Sequence, residues 1–318
     1  MQKLIHDAES LQGGVHPVVP RETAITKIQT RLWERIVQPV LQELPEDTEL
    51  AVLLPGGLLG TLPLHAAGMC LEDDDPREWK LALESTAFTY APNVAALREA
   101  RRRRIGNAVR SALFVCPPED DPGKAWLFSA GEHAAAERLR ANGVSIPSVR
   151  PEHLTQRDLL RALSGHELLH FSGHTAVCPD APLDSGLYLG LDEYLDVRVL
   201  LEQTPVTADG AAHLRRPVVA VLSSCASGAI GTPLSDEAVG LPTALLQAGF
   251  ADVVSTQWRV FSSTVGPLME RFYELWCPEQ GDVHPAVALA RAQLDMLRGH
   301  DGSPMHPFDW APFTHTGG

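Results

Sequence analysis

The sequence predicts an α/β protein built on a mainly parallel sheet. Short apolar runs at Leu50 to Leu54, Ser111 to Cys116, Glu167 to Phe171, Val218 to Leu222 and Asp252 to Thr256 each stop at small, polar or proline residues, as buried strands do. Between several of these runs lie stretches whose apolar residues recur every three or four positions. Strands alternating with helices of this kind assemble into parallel sheets.

In chain order, residues 1 to about 20 hold Gly13, Gly14, Pro17 and Pro20 and read as a linker. Arg21 to Leu44 is a helix, with Ile25, Ile28, Leu32, Ile36, Val40 and Leu41 on its packing side. The first strand ends at Pro55-Gly56-Gly57, and Leu58 to Leu64 follows as a compact turn. Phe88 and Tyr90 lie in a strand stopped at Pro92. Asn93 to Arg104 is a helix whose four terminal arginines suit the negative end of the helix dipole. After the Ser111 strand come an acidic loop, a helix from Gly131 to Asn142 and a short edge strand at Val144 to Ile146. A helix from Thr155 to Leu163, with Thr155 as its cap, leads into the Glu167 strand.

Leu187 to Leu189 reads as part of a hairpin and Val197 to Leu201 as the start of a helix. Residues 204–217 form a polar, proline-flanked loop, a candidate exposed or processed segment. Asp236 to Gly249 is an apolar helix closed by glycine. Helices at Thr264 to Trp276 and His284 to Leu297 complete the layers, and the tail from Pro307 to Gly318 pins its aromatic residues to the core.

Composition narrows the function. The 318 residues carry a net charge of −14, which argues against a general nucleic-acid binder. No apolar stretch approaches the ~20 residues needed to span a bilayer. The start, MQKLIHDAESLQGG, is polar and reads as no signal peptide. Five scattered cysteines without a CxxC pair fit a reducing compartment, so a cytoplasmic location is expected.

Two strand ends carry the chemistry. The run ending at Leu222 continues as Ser-Ser-Cys-Ala-Ser-Gly and leaves Cys225 uncrowded. The run ending at Phe171 continues as Ser-Gly-His and presents His174. Ligands in open α/β sheets bind at such carboxyl ends. A thiol and an imidazole on neighbouring strand ends are a nucleophile and its base. Other readings stand beside this one: Cys225 as a buried structural thiol, His174 as a core histidine, and His170, His174 and Cys178 as a metal set. The metal reading needs a helix where the sequence indicates strand and loop, so no metal or other cofactor is expected. Asp184, Asp192, Glu193, Asp236 and Glu237 fall on loops near the strand ends. Each is either a substrate-binding acid or a solvated one. Trp258 either walls a substrate pocket or packs in the core.

Six stretches, in order, resemble the CHAT family of caspase-clan, separase-like cysteine peptidases. They are LLPGGLLGTLPLHA (53–66), YAPNVAAL (90–97), LHFSGH (169–174), VLSSCASG (221–228), the long stretch 236–260, and PFDWAPF (307–313). The resemblance implies a caspase-like three-layer sandwich. Residues 1–48 would be an N-terminal linker and helix, 49–109 a pseudo-protease part and 110–318 the catalytic part.

It further implies a cysteine endopeptidase acting on a protein or peptide through Cys225 and His174, with the Thr175 and Cys225 amides binding the oxyanion. Control by a regulatory partner, a fused sensor or cleavage, and a role in bacterial defence or cell death, are implied too. The alternative is a catalytically silent scaffold that binds a partner protein. The chain departs from the family pattern in having Thr175 where glycine usually follows the histidine, and Phe261 and Ser262 where an acid is often found. Ser223, two residues before the cysteine, replaces the acid of members specific for basic residues.

Overall fold

The apolar runs form strands, and seven of the strands make one sheet. The computed structural model describes residues 18–70, 78–104, 108–116, 129–147, 154–178, 180–190, 192–202, 218–224, 240–276, 283–299 and 304–318. Among these the strands are β1 (Leu50–Leu53), β2 (Gly68–Cys70), β3 (Trp79–Leu81), β4 (Ala87–Tyr90), β5 (Ala112–Val115) and β6 (Leu168–Phe171). They continue with β7 (Thr175–Ala176), β8 (Gly186–Gly190), β9 (Glu193–Asp196), β10 (Val219–Leu222), β11 (Asp252–Thr256) and β12 (Phe313–Gly317).

The large sheet runs in the order β1-β4-β12-β11-β10-β6-β5, with β7-β8-β9 as a separate three-stranded meander. Every neighbouring pair in the large sheet is parallel except β11 and β12. The single antiparallel junction reverses direction across the sheet. The carboxyl ends of β5, β6, β10 and β11 therefore share one edge, and those of β1 and β4 lie at the other.

The helices are α1 (Val18–Leu32), α2 (Gln38–Glu43), α3 (Val94–Arg104), α4 (Ala130–Ala141), α5 (Gln156–Leu163), α6 (Val197–Glu202), α7 (Leu241–Ala248), α8 (Ser262–Leu275), α9 (Pro285–Arg298) and α10 (Pro307–Trp310). They cover both faces of the sheet. Alternation along β10 sends Val219 and Val221 into one apolar cluster with residues of α1, α4, α8 and α9. It sends Ala220 and Leu222 into a second with α5, α6 and α7. The result is the α/β three-layer sandwich with a mainly parallel sheet that the sequence predicts.

Three local features differ from expectation. The first helix is interrupted by a π turn over Trp33–Val37, where the Gln38 amide bonds to the Trp33 carbonyl. Pro39 follows directly; it has no N–H to give the α-helical ladder, and the wider turn accommodates its ring. Val144 to Ile146 makes only an isolated bridge, Ser111 to Ser145. The tail is a strand, β12, inserted between β4 and β11. Its polar residues face partners there. His315 Nδ1 lies 2.7 Å from Thr89 Oγ1, and His315 Nε2 lies 3.1 Å from the buried Asp252 carboxylate.

The loop at 204–217 lies outside the described residues, as does the start of the helix expected from Asp236. Cys178 is a free thiol. Among the described residues no helix is long and apolar enough to cross a membrane.

Helices α4 and α8 cross closely enough to require glycine. A Cβ added to Gly131 would stand 2.0 Å from the Gly266 carbonyl oxygen. Alanine gains about 1 kcal/mol of helix propensity, but forcing two backbones apart typically costs about 1–3 kcal/mol, and contact with rigid backbone lies at the upper end. Gly131→Ala is expected to lower stability measurably in urea unfolding. Gly266→Ala, whose Cβ would meet the Ser129 side chain at 3.1 Å, should cost less.

Candidate active site

The site forms where β6 and β10 end. These strands pair in parallel, Leu222 opposite Phe171. The ladder continues one step, with the Ser223 amide donating to the Phe171 carbonyl at 3.0 Å. Past Phe171 the chain is buried through Ser172 and Gly173 and emerges at His174, which is exposed. The small residues let the strand turn out of the sheet without a side chain obstructing the bend.

A hydrogen bond joins the two strand ends. Thr175 Oγ1 donates to Ser224 Oγ at 2.7 Å. The residue after His174 is thereby tied to the residue before Cys225. On the other side, Thr256 at the end of β11 donates its hydroxyl to the Ser224 carbonyl at 2.6 Å, fully buried. Ser224 is thus held by two neighbouring strand ends at the point where the described chain stops. Cys225, Asp236 and Glu237 lie outside the described residues.

Beneath this edge is a buried polar network that the sequence reading missed. Glu132, in the first turn of α4, reaches under the sheet and is 2% exposed. The Ser129 amide and hydroxyl donate to its Oε2 at 2.7 and 2.8 Å. Its Oε1 accepts from Ser223 Oγ at 2.6 Å and stands 3.1 Å from His170 Nε2. His170 Nδ1 lies 3.0 Å from the Tyr273 hydroxyl, and the imidazole stacks on Phe114 with ring centroids 4.6 Å apart.

Donors and acceptors assign the protons. A carboxylate only accepts, so His170 Nε2 carries a proton toward Glu132. Burial, followed by the nearby Glu132 charge, pushes the Tyr273 phenol well above its usual range, so it remains a donor. Burial also pushes the Glu132 carboxyl up. The bond and charge from His170, with Ser223 and the Ser129 amide, outweigh this and hold it well below the usual carboxylate range. The sequence signal for Glu132 was the capping box Ser129-Ala-Gly-Glu132.

The other candidates are placed as follows. His170 is a fully buried strand residue. Asp184 is exposed and paired with Arg198 at 2.6 Å. Trp258 is 1% exposed and donates its indole N–H to the Phe308 carbonyl at 3.0 Å. Among the described residues no three His, Cys, Asp or Glu side chains group to hold a metal ion.

A carboxylate held charged inside the fold makes stability depend on pH. Its folded pKa is below the unfolded value, so its contribution is present above about pH 4.5 and is lost as pH falls toward about 2. Charged hydrogen bonds are each worth about 1.5–3 kcal/mol. Urea unfolding from pH 6 down to pH 2.5 should show Glu132→Gln less stable than the parent at pH 6. The gap should narrow as acid protonates the parent, and parallel curves would contradict a charged Glu132.

Comparison with known proteins agrees with this architecture. The family model described as the CHAT domain matches residues 26–318. No curated protein matches the chain. Among solved structures, the Arg-specific cysteine proteinase gingipain R is similar at 12% identity with a TM-score of 0.56, over 98% of this chain and 69% of that one. The complex of Porphyromonas gingivalis gingipain pro- and mature domains is similar at 11% identity with a TM-score of 0.54, over 99% and 74%. The Saccharomyces cerevisiae separase–securin complex aligns at 14% identity with a TM-score of 0.54, over 84% of this chain but only 15% of that one. At these identities the likeness is one of fold: all are built on the caspase-like sandwich.

Proposed function

This chain belongs to the CHAT domain family, and from that premise we propose that it is a cysteine endopeptidase with Cys225 as nucleophile and His174 as base. The observation that carries the reading is the Thr175–Ser224 hydrogen bond. It ties together the chain neighbours of the two residues that the chemistry needs in one place. The spacing agrees: Leu222 pairs with Phe171, an offset of 222 − 171 = 51, and Cys225 follows His174 by 225 − 174 = 51.

The reaction follows from these groups. His174 takes the thiol proton of Cys225, and the thiolate attacks the scissile carbonyl carbon. The carbonyl oxygen becomes an oxyanion, accepted by the amides of Thr175 and Cys225. As the tetrahedral adduct collapses, the C–N bond breaks and His174 protonates the departing amine. Water then hydrolyses the thioester, and the thiol regains its proton.

The ladder of the small sheet supports the role of Thr175. Tyr188 N–H donates to the His174 carbonyl at 3.0 Å, the bond that flanks a non-hydrogen-bonded pair at Thr175 and Leu187. In such a pair the Thr175 N–H points away from β8. Threonine thus supplies the amide that family members supply from glycine.

The reading includes substrate contacts from Asp184, Asp236 and Glu237, a cytoplasmic location, and control by a partner or by cleavage, in the setting of defence or cell death. Control by a partner is supported by analogy: separase was solved with securin and gingipain with its pro-domain. Intact mass of an active sample tests residues 204–217 as the processing site, and an uncut active chain removes it.

A peptide electrophile reactive toward thiols tests the chemistry. Selective labelling of Cys225 among the five thiols, slowed about 10²–10⁴-fold in His174→Ala, is expected, together with cleavage of members of a peptide library. Unselective labelling with no cleavage would leave the silent scaffold as the better description. Loss of cleavage with a chelator would favour a metal hydrolase.

A further inference from the structure

We infer that the outer face of the β7-β8-β9 meander is a subsite for an arginine or lysine side chain on the leaving-group side of the scissile bond. The inference rests on His174 being the base proposed above. Its starting observation is the position of Tyr188. In the meander Thr175 stands opposite Leu187, and one step further the Tyr188 amide donates to the His174 carbonyl. Tyr188 in turn stands opposite Tyr194 on β9, with ring centroids 5.1 Å apart and planes at 51°. The cross-strand row therefore runs from His174 through Tyr188 to Tyr194.

The two faces of the meander differ sharply. Leu187, Leu189 and Leu195 are buried in the core beneath. Tyr188 is half-buried on the other face, and Tyr194 is 37% exposed. Side chains alternate along a strand, so the residue before Tyr188 on its own face of β8 is Gly186; beyond Tyr188 the register shifts before Gly190.

The occupant follows from charge. Aromatic faces attract cations, most often the guanidinium of arginine. Asp192, just before β9, adds an exposed acid and is held at φ +60°. Two nearby acids are already engaged: Asp184 pairs with Arg198, and Asp196 Oδ1 accepts the Val199 amide at the start of α6. The chain as a whole carries −14. Location then selects the side of the bond. His174 protonates the departing amine, so the departing peptide lies against the base and the surface continuing from it.

Quenched peptides that differ only on the leaving-group side, with Arg or Gln at each of the first three positions, test this on the full chain. One position should show an Arg preference of about 5- to 10-fold in kcat/KM, since a cation over one exposed ring is worth about 2- to 5-fold. Tyr194→Leu and Asp192→Asn should each bring the Arg-to-Gln ratio toward one, and Tyr194→Phe, which keeps the ring, should retain it. Equal cleavage of all pairs, or a preference untouched by Tyr194→Leu, overturns the subsite.

A second measurement separates this from failure of the protease reading. Anisotropy of labelled Arg and Gln peptides with Cys225→Ala needs no turnover. Tighter Arg-peptide binding, weakened in the Tyr194→Leu form, supports the subsite even if no peptide is cleaved, and indifference to Arg rejects it.

Discussion

A charged carboxylate can remain inside a protein only when donors surround it, and the Glu132 carboxylate imposes that requirement on the middle of this structure. Its donors come from three separate elements: Ser129 at the start of α4, His170 on β6 and Ser223 at the end of β10. Tyr273 on α8 completes the chain through His170. Helix α4 must therefore sit at one height and one rotation against the sheet. Its close crossing with α8 at Gly131 and Gly266 meets the same demand from the outer side. The geometry of the β10 end follows from satisfying the carboxylate, since Ser223 is held from below just before the chain reaches Ser224.

The second constraint is the reversal at β12. Because β11 and β12 are antiparallel and all other neighbours parallel, the sheet has two edges of different character. The β5, β6, β10 and β11 ends gather on one of them. That gathering lets Thr256 fix the Ser224 carbonyl while Thr175 fixes its hydroxyl. Had β12 run parallel to β11, β1 and β4 would end at the same edge and crowd it. Thr89 and the Asp252 carboxylate flank His315 of β12 on its two neighbouring strands.

Much of this was legible because the physics is local. A four- or five-residue apolar run bounded by Ser, Gly or Pro has few alternatives to a buried strand, and β5, β6, β10 and β11 follow the sequence closely. Thr155 was legible as a cap because a side-chain oxygen three residues before a free amide is a local arrangement. What escaped was non-local. Phe-Thr-His-Thr-Gly at 313–317 lacks the apolar density of a central strand, and its polar side chains are acceptable there only because Thr89, Asp252 and Ser255 stand opposite. Glu132 announced a helix start. Nothing in the chain nearby says that its carboxylate reaches a histidine 38 residues away. The π turn was written in Pro39, whose missing N–H a periodicity argument overlooks.

The bend after β6 separates a buried histidine from an exposed one. His170 and His174 sit four residues apart, on either side of the bend at Ser172 and Gly173. His170, sealed and bonded through both ring nitrogens, is committed to holding the Glu132 carboxylate. His174 lies past the bend and is exposed. The bend brings His174 out of the core, the Tyr188 amide holds its carbonyl, and the Thr175 hydroxyl ties the next residue to Ser224.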